Sequence, residues 1–220
     1  MDIERNLREV ERRIAQAAHR VGRSPSEVTI VAVTKGVAPE AIEAAVNAGI
    51  KHIGENRVQE AKAKVALLST LELRPTWHMV GHLQTNKVKT AVEIFDIIHS
   101  IDSLRLAQLV SQRAGKTLPV LLQVNISGEE PKSGFSVAEL PKALEEVARL
   151  PQLEVKGLMT IAPLVEDAEE VRPIFRRLRQ LRDSLGLEHL SMGMSDDFEV
   201  AVEEGATMVR IGRAIFGKRG

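Results

Sequence analysis

Lys35 is the residue of this 220-residue chain whose type and position most directly indicate chemistry. It follows the apolar run 28–34, which is typical of a buried β-strand, and it precedes Gly36. A lysine at the carboxyl end of a buried strand lies where barrel enzymes carry their reactive groups. Desolvation favours the neutral amine, which is the form that condenses with an aldehyde. Taken alone, such a lysine more often only extends from a buried stem to solvent, so the rest of the chain decides.

Two loops near the end of the chain predict a phosphate site. The first loop consists of Ser191, Met192, Gly193, Met194 and Ser195, and the second contains Arg210, Gly212 and Arg213. The loops after strands seven and eight of a parallel barrel are its recurrent phosphate site, where glycines let backbone N–H groups approach the oxygens. Together with Lys35, they predict a phosphate anchor and an amine at opposite ends of one aromatic aldehyde. The alternative is two ordinary loops with a serine helix cap.

Arg210 lies inside the short apolar run 208–211, and a buried arginine stays charged and needs an acceptor. A pyridine nitrogen is one such acceptor, and an arginine there keeps the ring nitrogen unprotonated and weakens the ring as an electron sink. The other open interpretation is a structural ion pair with Glu203 or Glu204. Asn56 either hydrogen bonds near the lysine or the ring, or only forms a turn.

Metal and thiol chemistry have little support in the sequence. His78 and His82 lie four residues apart, but around a predicted strand and without a third ligand, so no metal site is predicted. The chain contains no cysteine, which excludes disulfides, thiolate catalysis and cysteine metal sites.

Short β-rich runs alternate with helical patterns along the chain, which favours parallel strands joined by right-handed crossovers. The strand candidates are 28–34, 51–54, 77–80, 95–99, 119–126, 155–161, 189–192 and 208–211. The helix candidates between them are 39–48, 57–68, 84–92, 103–114, 136–149, 167–185 and 196–203. We therefore predict an α/β fold, a (β/α)8 TIM-type barrel with an extra N-terminal amphipathic helix at residues 2–21. The alternative is an open doubly wound sheet. No linker-like stretch interrupts residues 1–220, so one domain is the simplest interpretation.

Composition limits the partners and the compartment. The 30 basic and 30 acidic residues give a formal net charge of zero, which is unlike the basic footprint of a nucleic-acid binder. The polar start of the chain is not typical of a signal peptide, and no run approaches the roughly 18 apolar residues of a membrane helix. We therefore expect a cytoplasmic protein without nucleic-acid or membrane partners.

Several motifs resemble those of the pyridoxal-phosphate homeostasis proteins, in the order expected for that family and over nearly the whole chain. They lie at residues 31–35, 54–56, 78–87, 157–160, 191–195, 209–212 and 215–217. The resemblance implies the single-barrel fold related to the barrel domain of alanine racemase, without that enzyme's second domain. It also implies pyridoxal 5′-phosphate as the cofactor.

The resemblance further implies a role for each matching residue. Lys35 becomes the Schiff-base lysine, and the phosphate lies on the 191–195 loop and Gly212, with Ser195 donating its hydroxyl. Arg210 lies at the pyridine nitrogen, Asn56 beside the ring, and Met159 in the pocket wall. Arg213 departs from the small hydroxyl residue of other members, which replaces a hydroxyl contact to phosphate with a charge-assisted one.

Two functions from different classes remain open. A carrier binds the cofactor reversibly, maintains its supply and passes it to apo-enzymes that depend on it. An amino-acid racemase needs acid–base groups on both faces of a carbon, and alanine racemase uses a tyrosine that this chain lacks entirely. His82 or His99 are the candidate replacements. We predict the carrier without useful racemisation, and the family and the single barrel lead us to expect a monomer. A third possibility is a barrel for a phosphorylated ligand to which Lys35 is not covalently linked.

Overall fold

Eight parallel strands pair in chain order into a closed barrel in the computed structural model, which describes residues 2–69, 74–128 and 133–217. The strands are β1 (Thr29–Val33), β2 (His52–Glu55), β3 (Thr76–Met79), β4 (Ile97–Ile101), β5 (Leu118–Gln123), β6 (Leu153–Met159), β7 (His189–Ser191) and β8 (Met208–Ile211). The helices are α1 (Ile3–Arg20), α2 (Pro39–Asn47), α3 (Val58–Leu67), α4 (Val88–Ile94), α5 (Leu104–Arg113), α6 (Leu140–Ala148), α7 (Arg172–Ser184), α8 (Phe198–Glu203) and α9 (Arg213–Phe216). The predicted barrel and the extra N-terminal helix are confirmed, and the open sheet is wrong.

The barrel closes because β1 pairs with both its sequence neighbour and the last strand. Val31 lies opposite His52 of β2 on one side and opposite Arg210 of β8 on the other. Both pairings are parallel, so the carboxyl ends of β1 and β8 meet at one rim. Lys35, two residues past β1, is thereby brought beside the residues that follow β8.

Apolar side chains fill two layers. The larger layer lies between the strands and the surrounding helices and includes the fully buried Trp77 and Phe95. The smaller cluster consists of Val31, Val80, Leu121, Met159 and Met208. The larger layer buries the apolar stripe of α1, because the helix packs against α8 and α9.

Polar contacts also hold α1 against α8 and α9. Asn6 Nδ2 donates to Ile215 O at 2.9 Å, and Arg13 Nη2 pairs with Glu199 Oε2 at 2.7 Å. The Arg13 guanidinium also lies 4.5 Å from the centre of the Phe198 ring. The N-terminal helix therefore covers the elements that flank the last strand.

Element ends differ from the sequence prediction mainly where a short 3-10 turn precedes a helix. α7 begins at Arg172 after such a turn at Ala168–Val171, and α4 begins at Val88 after one at Thr85–Lys87. α6 begins at Leu140, four residues later than predicted, and the short α9 was not predicted. Four residues are too few to show a helical period.

No helix among the described residues is both long and apolar enough to cross a membrane.

We predict that Gly157→Ala destabilises the barrel, because a Cβ at Gly157 would lie 2.0 Å from the carbonyl oxygen of His189 in the neighbouring strand. The free energy of unfolding should fall by about 1–3 kcal/mol, measured by urea denaturation. Gly115→Ala is the matched control, since a Cβ there meets nothing within 4 Å. Equal stability of the two variants would contradict the close approach of β6 and β7.

Candidate active site

A cavity of about 550 Å³ opens at the carboxyl end of the barrel, a size typical of small-molecule sites. The predicted site residues that line it are Lys35, Asn56, Met194, Ser195, Arg210, Gly212 and Arg213. Val33, Val80, Ile161, Leu164 and Asp196 complete the lining. The structure thus brings together the amine, the arginine and the glycine-containing loop that were predicted separately.

Lys35 extends into the cavity from the turn that follows β1. Gly36 continues that turn with a left-handed φ of 68°, a conformation that favours glycine. The Lys35 side chain is partly exposed, and no acceptor among the described residues forms a hydrogen bond or an ion pair with its amine. The amine is therefore free to react with a ligand.

Arg210 is 4 % exposed and donates two hydrogen bonds to uncharged acceptors. Its Nη1 donates to Ser191 Oγ at 2.7 Å, and its Nη2 donates to Thr160 O at 2.8 Å. Burial lowers the pKa of Arg210 to about 10, and the charge of Asp197 opposes that fall. The guanidinium consequently stays charged at neutral pH, with its remaining face toward the cavity that it lines.

The predicted alternative, an ion pair of Arg210 with Glu203 or Glu204, is wrong. Both glutamates lie at the end of α8, outside the barrel, where the neighbouring helices supply arginines. Glu203 pairs with Arg20 and Arg172, and Glu204 pairs with Arg172, Arg176 and Arg179. A strand residue that points inward cannot reach a helix end on the outer layer.

The two predicted loops lie side by side and are tied together. Ala214 N donates to Ser195 Oγ at 3.3 Å, and Arg210 N donates to Gly193 O at 2.9 Å. Within the described ranges, the backbone N–H groups of Ser195, Gly212 and Arg213 meet no protein acceptor. Unpaired N–H groups at adjoining loops suit an anion.

Arg213 lies at the exposed edge of this loop pair. Its guanidinium forms an ion pair with Asp196, and both side chains are more than half exposed. The charge-assisted phosphate contact predicted for Arg213 therefore competes with a neighbouring carboxylate. Sequence reasoning missed Asp196, although its position directly after Ser195 in the loop was a usable signal.

Four predicted site residues lie behind the cavity lining. Ser191 is fully buried beneath Arg210, and Met159 belongs to the smaller apolar cluster. Met192 packs in the larger apolar layer. Gly193 has a φ of 91°, and a Cβ there would lie 2.5 Å from Ala201 Cβ, so this glycine allows α8 to pack against the loop. Their part in cofactor binding stays a prediction.

Asn56 lines the cavity and has an unsatisfied acceptor atom. Its Oδ1 is buried and has no hydrogen-bond donor in the described part of the protein. Such an atom normally costs stability unless a ligand or water satisfies it. Gly81 packs closely against Asn56, since a Cβ at Gly81 would lie 2.5 Å from Asn56 O.

The apolar side of the cavity was missed by sequence reasoning. Ile161 and Leu164 follow β6 and remain exposed at the cavity mouth, Leu164 by 88 %. The run at the end of β6 was a usable signal for Ile161, since it places an apolar residue at the rim. Apolar side chains beside a basic, hydrogen-bonding wall suit an aromatic ring that carries an anionic group.

A chain of hydrogen bonds crosses the barrel interior to Arg210, which the sequence did not predict. His52 Nδ1 lies 3.0 Å from His78 Nε2, His78 Nδ1 lies 2.8 Å from His99 Nε2, and His99 Nδ1 lies 2.8 Å from Ser191 Oγ. Burial lowers the pKa of His78 to about 3 and that of His99 well below its ordinary value. These imidazoles are therefore neutral, and they support Arg210 through Ser191 without cancelling its charge.

The histidines proposed as metal or base candidates lie apart. His78 faces the interior, whereas His82 lies at the rim and contacts Asp102 through a 2.9 Å hydrogen bond. Nowhere in the described ranges do three His, Cys, Asp or Glu side chains gather as metal ligands.

The barrel, the lysine after its first strand and the glycine-containing loops after its last two strands define a class, the alanine-racemase type of barrel. The family model for the alanine racemase N-terminal domain matches residues 5–220. The pyridoxal phosphate homeostasis protein of Aquifex aeolicus is 47 % identical over 222 residues, which span 97 % of this chain and 96 % of that protein. The chain belongs to the pyridoxal phosphate homeostasis protein family, as its motifs predicted.

Solved structures agree with this assignment. PipY of Synechococcus elongatus with PLP bound superimposes with a TM-score of 0.81 at 41 % identity, covering 93 % of this chain and 100 % of PipY. Without PLP, PipY gives a TM-score of 0.83 at 41 % identity and covers 94 % of this chain and 99 % of PipY. Alanine racemase from Corynebacterium glutamicum shares the fold, with a TM-score of 0.68 at 18 % identity, and this chain covers 61 % of it.

We predict that His78→Gln makes the protein less sensitive to acid. Because burial depresses the pKa of His78, the unfolded chain takes up a proton near its ordinary pKa that the folded protein does not, so stability falls as the pH falls. Between about pH 7 and pH 5 this one group should cost the wild-type protein about 2 kcal/mol. Urea denaturation at both pH values should show a smaller decrease in the free energy of unfolding in the variant than in the wild-type protein. Equal decreases in the two proteins would contradict a neutral, buried His78.

Proposed function

We propose that this protein binds pyridoxal 5′-phosphate through a Schiff base on Lys35 and serves in the intracellular homeostasis of that cofactor. The observation that carries the proposal is one cavity in which an unpaired lysine amine faces an arginine and a set of unpaired backbone N–H groups. The bound PLP in PipY, and the name that the relatives share, support it.

The residues fit the chemical groups of this cofactor. When bound, pyridoxal 5′-phosphate supplies an aldehyde that an amine captures. The N–H groups of Ser195, Gly212 and Arg213, together with the Ser195 hydroxyl, hold the phosphate, and Ser191 through Met194 shape that loop. The free acceptor Asn56 Oδ1 receives a hydrogen bond from the ligand.

Arg210 and the apolar wall hold the ring. The Arg210 guanidinium would donate to the pyridine nitrogen and keep it unprotonated, because a charged guanidinium retains its own proton at neutral pH and has no acceptor for an N–H of the ring. Ile161 and Leu164 would supply apolar contacts to the ring, and Met159 would support this wall from the smaller apolar cluster behind it. We assign this cofactor-binding role to one barrel domain, residues 1–220.

We further propose a carrier without catalytic activity rather than a racemase. The chain has no tyrosine to act as a second base, and His99 is fully buried and hydrogen bonded to Ser191. His82 is exposed and contacts Asp102. An exposed cavity mouth beside Leu164 suits release of the cofactor to apo-enzymes more than chemistry that must exclude water.

The cellular part of the proposal follows from the same features. Hand-over to apo-enzymes that depend on pyridoxal 5′-phosphate places the protein in the cytoplasm, where such enzymes are made. We also propose a monomer, as expected from the family and the single barrel.

Borohydride reduction after incubation with pyridoxal 5′-phosphate, followed by peptide mass mapping, tests the covalent site. We expect one stable adduct, at Lys35, and its loss in Lys35→Ala together with a large loss of cofactor affinity. Lys62→Ala is the matched control, because Lys62 is exposed on α3 and outside the cavity. Unchanged affinity in Lys35→Ala, or adducts spread over surface lysines, would overturn the Schiff-base assignment.

Exchange of the α-proton of amino acids in deuterated water separates carrier from racemase. We expect no exchange above that of free cofactor for several amino acids, because the chain has no tyrosine and neither His82 nor His99 is among the described residues that line the cavity. The reaction is followed by proton NMR with cofactor-loaded protein. Fast, enzyme-dependent exchange would show that the protein is a catalyst.

A further inference from the structure

The two peptide groups on either side of the Lys35 Cα are both held by charged side chains. The carbonyl oxygen of Thr34 accepts a hydrogen bond from Lys64 Nζ at 2.5 Å. The N–H of Gly36 donates to Glu60 Oε1, also at 2.5 Å. These two peptide groups define the φ and ψ angles of Lys35, so the contacts fix the direction in which its side chain leaves the backbone.

The charged side chains form one connected cluster, which we call the Lys64 triad: Lys64, Glu55 and Glu60. Lys64 Nζ lies 2.6 Å from Glu55 Oε1 and 2.7 Å from Glu60 Oε1. Thr34 Oγ1 donates to the same Glu55 oxygen at 2.5 Å. Two elements supply the triad, since Glu55 ends β2 and the other two residues lie on α3.

The triad lies behind the lysine and outside the cavity. Lys64 is 5 % exposed and Glu55 is fully buried, and none of the three residues lines the cavity. Burial raises the pKa of Glu55, and the hydrogen bonds from Lys64 and Thr34 oppose that rise. A buried ion pair gains little stability over apolar residues of similar size, so stability alone does not account for this arrangement.

We propose that Lys64, held by Glu55 and Glu60, is the positioning residue of Lys35 and sets how readily its amine reaches the aldehyde. The role rests on the proposed function, because it concerns the covalent step at Lys35. The turn needs such support because Gly36 adopts a left-handed conformation and leaves the backbone beside Lys35 with few restraints of its own. Loosening both peptide groups adds backbone entropy that the bound state must lose again.

The test compares two ligands that differ only at the reacting carbon. Pyridoxal 5′-phosphate forms the covalent bond, whereas pyridoxine 5′-phosphate has an alcohol in place of the aldehyde and reports only the non-covalent fit. In Lys64→Met, we expect the rate of Schiff-base formation and the affinity for the aldehyde to fall by about 5- to 30-fold. Affinity for the alcohol should stay unchanged, as should both affinities in the control Lys62→Met, two residues away on the exposed side of α3.

A second pair of variants covers the case in which Lys64→Met leaves Glu55 unpaired and fails to fold. Glu60 is partly exposed, so Glu60→Ala removes the contact to Gly36 at small cost to folding. Glu60→Gln retains an oxygen that accepts from the Gly36 N–H. We expect Glu60→Ala to slow the covalent step selectively and Glu60→Gln to restore it, with visible circular dichroism of the bound cofactor shifting in the same order.

The outcomes separate the two levels of the proposal. Equal losses for the aldehyde and the alcohol would show a merely structural triad and overturn the positioning role. The positioning role would also be overturned if neither Lys64→Met nor Glu60→Ala changed the rate of Schiff-base formation or the affinity for the aldehyde. If the wild-type protein still formed a normal adduct at Lys35, the proposed function would stand. A wild-type protein without an adduct at Lys35 would overturn both.

Discussion

The pairing of the first strand with the last is the constraint on which the site depends. Lys35 and Gly212 are far apart in the chain, and only the parallel β1–β8 ladder, with Val31 opposite Arg210, places them at one rim. Helix α1 packs on α8 and α9, the helices on either side of β8 in the chain. Its Asn6 side chain donates a hydrogen bond to Ile215 O. Residues with no contact to the cavity therefore determine whether amine and anion site face each other.

Polar side chains inside the barrel form a connected set of hydrogen bonds around Arg210. The Arg210 guanidinium, charged at neutral pH, is buried here without an ion pair to any described carboxylate, and it donates to Ser191 and to the Thr160 carbonyl. Neutral histidines continue the hydrogen bonding behind Ser191, since burial opposes their protonation. The charge of Arg210 is thus stabilised by uncharged polar groups, and it remains available to attract an acceptor in the cavity. On the other side of β1, charged residues of α3 hold the backbone beside Lys35 instead.

Local signals made much of this architecture predictable. The apolar run before Lys35 and the glycines after β7 and β8 mark strand ends, and strand ends of a parallel barrel share one rim. The histidine chain was not predictable, because it requires knowing that three residues on successive strands face inward at matching heights. The alternative that Arg210 pairs with Glu203 or Glu204 stayed open for a related reason: distance along the sequence does not reveal whether a residue faces the barrel or the outer helices. Lys64 was not singled out from the sequence, because its burial depends on the contact of α3 with the turn after β1.

Closure by the last strand has a consequence for biosynthesis. Lys35 is translated early, whereas Arg210 and Gly212, which complete the cavity, are translated only after all of the intervening strands. A chain that stops before β8 carries Lys35, but its β1 pairs only with β2, and the loop that follows β8 is missing from the cavity. Nascent chains and fragments without β8 therefore cannot assemble the cavity that Lys35 lines.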